Sequence, residues 1–194
     1  TADYGRCDVR LAEQALGGIA VGLLDDDGRA DVAVTVPAAG AVRILLNTDA
    51  VQQQLRTCAM LMNPDPISTG FASVAVPGAP GAIVAVDVDR DGDRDLAVAG
   101  GNAVTILSND GRGAFTAGSP VGVGTTPVAI VADFPADPTD PTRRTPLDLN
   151  RDGRTDLVVA NAGSAFLSIL YGAEGGGFTV VNRSIPGQAT GVTA

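Results

Sequence analysis

The sequence predicts an all-β fold made of repeated sheet units, and three observations support this. A short acidic loop containing glycine occurs three times, each time between two apolar runs rich in β-branched residues, which is typical of strands. The chain has 25 glycines and a hydrophobic fraction of 45%, which suits many short buried strands joined by tight turns. Of its 22 acidic residues 20 are aspartate, a residue that favours turns over helix interiors.

The three loops span residues 23–31, 87–95 and 148–156 and follow the pattern D-x-[D/N]-x-D-G-x-x-D. Calcium takes about 6 to 8 oxygen ligands, so side-chain oxygens at alternate positions must converge on one point. Glycine at the sixth position permits the tight turn, after which the seventh residue can offer its carbonyl oxygen. A single copy would be interpreted as an ordinary polar turn, whereas three copies at matched places predict calcium loops.

The candidate ligands occupy the first, third, fifth, seventh and ninth positions. They are Asp87, Asp89, Asp91, Asp93 and Asp95 in the second loop, Asp148, Asn150, Asp152, Arg154 and Asp156 in the third, and Asp25, Asp27, Arg29 and Asp31 in the first. The first loop has Leu23 at its first position and therefore offers fewer oxygens. An EF-hand would need a carboxylate at position twelve, where this chain has Val34, Val98 and Val159. The loops are thus expected between strands.

The repeat length indicates the kind of sheet unit. Asp31, Asp95 and Asp156 lie 64 and 61 residues apart, and removing apparent insertions of 17 and 15 residues leaves units of 47 and 46. That is the size of a four-stranded propeller blade. We expect blades at about residues 18–76, 80–121 and 127–185, with a fourth starting at 186–194. Strands predicted in the second unit are Ala82–Val86, Asp95–Ala99, Ala103–Leu107 and Phe115–Ser119.

At Ile83–Val86, Asp87–Asp95 and Asn109–Phe115, and again at Asp156–Ser164 and Gly175–Phe178, the chain resembles the FG-GAP/VCBS repeats of integrin-α-like β-propellers. The resemblance implies a partial β-propeller of about three blades with calcium loops between the first and second strands. Three blades cannot close a ring without exposed edges. The remaining blades are therefore expected in the same chain or in a second copy.

Two insertions interrupt the repeat on the face that carries the calcium loops. Residues 47–70 predict a helix over Ala50–Met62, because its apolar residues recur at helical spacing. Phe134–Pro146 contains four prolines and predicts an extended surface loop. Arg143 and Arg144 in that loop are candidate contacts for an acidic partner, with a merely solvated loop as the alternative.

The two cysteines, Cys7 and Cys58, are predicted to form a disulfide in a secreted protein, with two buried thiols as the alternative. Loops that bind calcium weakly are useful where calcium is plentiful. The predicted location is therefore extracellular, on the cell surface or in the periplasm. No apolar stretch reaches 18 residues, so no membrane span is predicted.

Composition also limits the function classes. The chain has no histidine, which excludes a Ser-His-Asp triad and histidine metal ligands, and we expect no catalysis. A net charge of −9 argues against a nucleic-acid surface. The predicted function is an extracellular calcium-binding propeller module for protein binding, adhesion or surface assembly, whose partner is a protein or a surface glycan. The alternative is an accessory propeller of a secreted carbohydrate-active enzyme, or a lectin.

Overall fold

The computed structural model describes residues 15–49, 71–137 and 140–185, with side chains described outside 135–144. These residues form antiparallel sheets. Sheet 1 consists of β1 (Ile19–Gly22), β2 (Asp31–Val36), β3 (Ala41–Leu45) and β4 (Phe71–Ala75). Sheet 2 consists of β5 (Pro80–Val86), β6 (Asp95–Gly100), β7 (Ala103–Asn109) and β8 (Phe115–Ala117), with the short β9 (Val121–Gly122) paired to β7.

Sheet 3 begins with β10 (Pro127–Val131), after which β11 (Asp133–Asp137) and β12 (Asp140–Pro146) form a separate two-stranded sheet. Sheet 3 continues with β13 (Leu157–Asn161), β14 (Phe166–Gly172) and β15 (Phe178–Ser184). In each of the three sheets the strands lie next to one another in chain order, apart from this inserted pair and β9.

The prediction of an all-β fold is confirmed for the described residues. In sheet 2 the ends of β5 to β8 differ from the predicted strand ends by no more than two residues. The agreement follows from the loop glycines and aspartates, which end each strand, and from the β-branched residues between them.

The insertion at Phe134–Pro146 was predicted to be an extended loop, and that prediction is wrong. The chain there forms the hairpin β11–β12, with Phe134 opposite Thr145 and Pro135 opposite Arg144. Proline lacks a backbone donor and suits only strands with a free edge, which both strands of an isolated pair have. Arg143 and Arg144 thus lie on a strand of this hairpin rather than on an irregular loop.

Sheet 2 packs between the other two sheets. Every residue of β6 is buried, because its two faces meet different neighbours. Leu96 and Val98 belong to a core shared with sheet 1, whereas Ala97 and Ala99 belong to a core shared with sheet 3. The three sheets are therefore stacked face to face.

The first strands of the three sheets lie side by side. β5 contacts both β1 and β10. Gly81 at the start of β5 accepts hydrogen bonds from the Gly18 amide at 2.8 Å and from the Thr35 hydroxyl at 2.7 Å. These bonds hold sheet 1 against sheet 2. The acidic loop of sheet 1 and the acidic loop of sheet 2 therefore lie at the same end of the stacked sheets.

Three predictions lie outside the described residues: the helix over Ala50–Met62, the pair Cys7 and Cys58, and the fourth blade at 186–194. Within the described part of the chain, no helix has the length and apolar character needed to cross a bilayer.

Candidate metal centre

The three acidic loops lie next to one another, each just before the second strand of its sheet. The Asn109 side chain donates a hydrogen bond to the carbonyl oxygen of Leu24 in the first loop at 3.1 Å. The Thr155 hydroxyl donates to the carbonyl oxygen of Asp87 in the second loop at 2.9 Å. The sheet stacking thus brings all three loops to one edge of the molecule.

The predicted role of glycine at position six is confirmed. Gly28, Gly92 and Gly153 have φ angles of +74°, +104° and +82°, in the region where a side chain is disfavoured. At position four, Arg90 and Arg151 also have positive φ, at +64° and +60°, whereas the first loop has no positive φ there. The second and third loops therefore share a backbone that the first loop adopts only in part.

Hydrogen bonds inside the loops repeat at equivalent positions. The side chain at position three accepts from the amide at position five, and the side chain at position five accepts from the amide at position seven. The pairs are Asp25–Asp27 and Asp27–Arg29, Asp89–Asp91 and Asp91–Asp93, and Asn150–Asp152 and Asp152–Arg154, at 2.8 to 3.2 Å. At position one, Asp87 and Asp148 accept from Gly92 and Gly153, a bond that Leu23 cannot make. These bonds point the side-chain oxygens inward.

The second loop brings three of its predicted ligands together. Asp87, Asp89 and Asp95 each offer one carboxylate oxygen, and these oxygens all lie within 4.8 Å of one another. Oδ1 of Asp87 is buried and accepts no hydrogen bond from the described residues. A buried carboxylate oxygen without a partner is unfavourable, and a cation at this point would satisfy it.

Burial, with added repulsion between the carboxylates, raises the pKa of aspartates in the second loop. Burial raises the pKa of Asp95 to about 6. Repulsion from Asp89 and Asp91 also raises this pKa, whereas hydrogen bonds from the Asn109 and Val88 amides lower it. Burial is also the largest cause that raises the pKa of Asp89. Among the described residues no arginine forms an ion pair with Asp87, Asp89 or Asp91. A bound cation would relieve the repulsion.

Arginines already compensate part of the charge in the third loop. Arg154 lies 3.3 Å from the Asp152 carboxylate, and Arg90 from the neighbouring loop lies 3.9 Å from Asp148. The pKa of Asp152 is lowered, first by a hydrogen bond from the Asn150 side chain and further by Arg154. This loop therefore has less need of a cation than the second.

In the first loop the ion pair is between Asp27 and Arg29, at 3.5 Å. Leu23 at position one offers no side-chain oxygen, and the Asp27 carboxylate is already paired with Arg29. This loop therefore has the fewest side-chain oxygens to offer a cation. The seventh-position carbonyl oxygens of Arg29, Asp93 and Arg154 stay predicted ligands.

The ninth-position aspartates have a structural role that the sequence did not predict. Asp31, Asp95 and Asp156 are 0%, 2% and 0% exposed. Each accepts one bond from the amide at position two of its own loop and one from an amide at the end of the third strand or just after it. The donor amides are Leu24 and Asn47, Val88 and Asn109, and Leu149 and Gly172, at 2.7 to 3.0 Å. Each aspartate thus ties its loop to the neighbouring connection.

Asn47 and Asn109 were also missed as site residues. Their side chains donate to the carbonyl oxygens of Ala30 and Arg94, at position eight of the first and second loops. The signal in the sequence was an asparagine at the start of the connection after the third strand in two of the three units.

Comparison with known proteins gives no assignment. No family model matches this chain, and no curated protein matches it. The resemblance to FG-GAP/VCBS repeats stays a prediction drawn from the loops and the repeat.

Proposed function

We propose that this chain is a non-catalytic, calcium-binding segment of a β-propeller that presents a binding surface outside the cell. The observation that carries the proposal is the convergence of one carboxylate oxygen each from Asp87, Asp89 and Asp95, together with a buried Asp87 Oδ1 that accepts no hydrogen bond from the described residues. The donors are all hard oxygens, which suit calcium better than zinc or copper. Asp91 and the Asp93 carbonyl would complete the protein ligands, and the ion would neutralise the repulsion among them.

Three features support the propeller. The three sheets have the same strand order, they stack face to face, and their first strands lie side by side. Propeller blades are four-stranded sheets arranged around a common axis in this way. Placement outside the cell follows from the calcium loops, because calcium is plentiful there.

We expect calcium affinity to fall in the order second loop, third loop, first loop. Among the described residues no arginine forms an ion pair with the four carboxylates of the second loop, whereas the third loop has three carboxylates beside Arg90 and Arg154, and the first loop lacks its position-one ligand. The test is calorimetric titration of the wild-type chain and of three variants at position three, Asp89→Ala, Asn150→Ala and Asp25→Ala. The tightest binding event should disappear only in Asp89→Ala.

Asp26→Ala is the matched control for that titration, because it removes one exposed negative charge at position four, where no ligand is predicted. It should leave the tight event unchanged. A chain that binds no calcium at millimolar concentration would refute the proposal, and a filled first loop beside an empty second loop would refute the order.

The hairpin β11–β12 is the surface that we expect to contact an acidic protein or glycan. It carries the adjacent Arg143 and Arg144 and is inserted between β10 and β13 of sheet 3, and such insertions on a sheet scaffold are where binding residues tend to lie. One charge-assisted hydrogen bond is worth about 1.5 to 3 kcal/mol, and neighbouring residues of a strand face opposite sides, so loss of a single contact in Arg143→Ala with Arg144→Ala should weaken binding by about tenfold or more. Binding to panels of acidic glycans and acidic peptides measures this.

Arg183→Ala, an exposed arginine of β15, is the control for charge alone. The Pro37–Gly40 turn joins β2 to β3 at the end of sheet 1 that lies away from the acidic loops, and its replacement by another turn sequence tests that opposite face. In the integrin-like propellers that the chain resembles, ligands commonly dock on this face. Loss of binding on changing that turn, with full binding retained by the double arginine variant, would move the contact to the opposite face.

A further inference from the structure

Each interface between stacked sheets joins two apolar rows. We call the row that faces the next sheet along the chain the forward row, and the row that faces the preceding sheet the rear row. The forward rows are Ala20, Ala33 and Ile44 in sheet 1, and Val84, Ala97 and Ile106 in sheet 2. The rear rows are Ala85, Leu96 and Leu107 in sheet 2, and Ala132, Leu157 and Leu170 in sheet 3. The same kind of contact therefore occurs twice within the chain.

The forward row of sheet 3 has no sheet against it among the described residues. Val131, Val158, Ile169 and Val181 lie directly opposite one another across all four strands. They are partly exposed, and they belong to neither core. This is a continuous apolar row on an outer face of the stack.

The rear row of sheet 1 is open in the same way at the other end of the stack. It consists of Val21, Val32, Leu45 and Phe71, which also lie opposite one another and belong to neither core. Val21 is 60% exposed and Ile19, on the same face, is 65% exposed. Val34 and Val36 further along β2 are buried, so the open part of this face is its β1 end.

The two open rows match in size as the internal pairs do. At both internal interfaces the third strand contributes an isoleucine to the forward row and a leucine to the rear row. The open rows have the same two residue types on their third strands, Ile169 and Leu45. At the second strand, the internal interfaces set Ala33 or Ala97 against a leucine, whereas the open rows set Val158 against Val32. Both combinations fill a similar volume, and volume-conserving exchanges are the ones that cores tolerate.

We propose that sheet 3 of one copy of this chain packs on sheet 1 of a second copy, head to tail. The partner that a forward row requires is a rear row, and a second copy offers one of matching size. Such a contact is heterologous, so it closes into a ring only if its rotation allows. Two copies would bring together twice the three sheets, within the range of about 4 to 8 blades found in propellers. Ring closure rests on the proposed propeller, whereas the association itself rests only on the two rows.

The test is sedimentation velocity of the wild-type chain over a range of concentrations in calcium. We expect a dimer that dissociates on dilution. Ile169→Asp disables the forward row and Val21→Asp the rear row, and each should raise the dissociation constant by more than about a hundredfold, because a carboxylate would be buried without a partner. Phe134→Asp, at an exposed phenylalanine of β11 outside both rows and outside the acidic loops, should still form the dimer.

Mixing the two disabled variants gives the decisive result. The Val21→Asp copy keeps its forward row and the Ile169→Asp copy keeps its rear row, so an equimolar mixture should form a one-to-one dimer although each variant alone is monomeric. Because Ile169 is partly buried, Val181→Asp on the outermost strand serves as a second forward-row variant if circular dichroism shows that Ile169→Asp is unfolded.

A wild-type chain that stays monomeric at all concentrations would overturn the inference. So would self-association of either single variant, or a mixture that stays monomeric. Calcium titration of the same variants separates the two proposals, since a dimer that binds no calcium would leave the packing inference standing and remove the calcium site.

Discussion

Removal of calcium is expected to lower the melting temperature of the wild-type chain by about 5 to 10 °C. A ligand that binds only the folded state at a hundredfold excess over its dissociation constant adds about 2.7 kcal/mol, and each kcal/mol shifts the midpoint by about 2 to 4 °C at this chain length. The largest share should come from the second loop, where Asp87 Oδ1 accepts no hydrogen bond from the described residues and Asp89 repels Asp95. Calorimetry in calcium and in excess chelator measures the difference.

Asp91→Ala should reproduce part of this loss in calcium and should respond less to chelator. Asp26→Ala, which removes an exposed charge from the first loop, is the control and should respond as the wild type does. An unchanged melting temperature of the wild type in excess chelator would count against structural calcium sites.

Asp95→Ala is expected to destabilise the chain by about 2 to 4 kcal/mol even without calcium. The substitution removes the acceptor for the Val88 and Asn109 amides, and each donor left unsatisfied costs about 1 to 3 kcal/mol if buried. Relief of carboxylate repulsion offsets part of that cost. Urea unfolding of the variant and the wild type in chelator gives the difference in free energy of unfolding.

Asp89→Ala is the matched control for that unfolding experiment. Among the described residues its carboxylate accepts a hydrogen bond from the Asp91 amide alone, in the same exposed loop, so we expect a change under about 0.5 kcal/mol in chelator. If Asp95→Ala were as mild as Asp89→Ala in chelator, the ninth position would serve the metal alone, and the tie between loop and connection would carry no stability.

The strands and the loops could be predicted because their signals are local. Gly92 marks the turn between β5 and β6, and the apolar runs of β6 and β7 define the next two strands. The repeat also predicts that the three loops occupy equivalent positions in their sheets.

Contacts between residues that are distant in the sequence could not be predicted in this way. The prolines of 134–146 indicated a loop, because the sequence does not show that the two strands would pair with each other alone. Arg90 in the second loop forms an ion pair with Asp148 in the third loop, although the two residues lie 58 positions apart in the sequence. The bonds that Asp95 accepts come from backbone amides, which every residue but proline has, so no side-chain pattern reveals them.

The bonds of the ninth-position aspartates also explain where the chain tolerates added length. Each aspartate binds the main chain of the connection, so the residue there can be Asn47, Asn109 or Gly172 without loss of the contact. Beyond that anchored amide the connection is free to vary: 23 residues separate Asn47 from β4 in sheet 1, and only five separate Asn109 from β8 in sheet 2. Proline is the one residue excluded at the anchor, since it has no amide hydrogen. The fold can therefore acquire new surface segments at this point while its sheets keep their register.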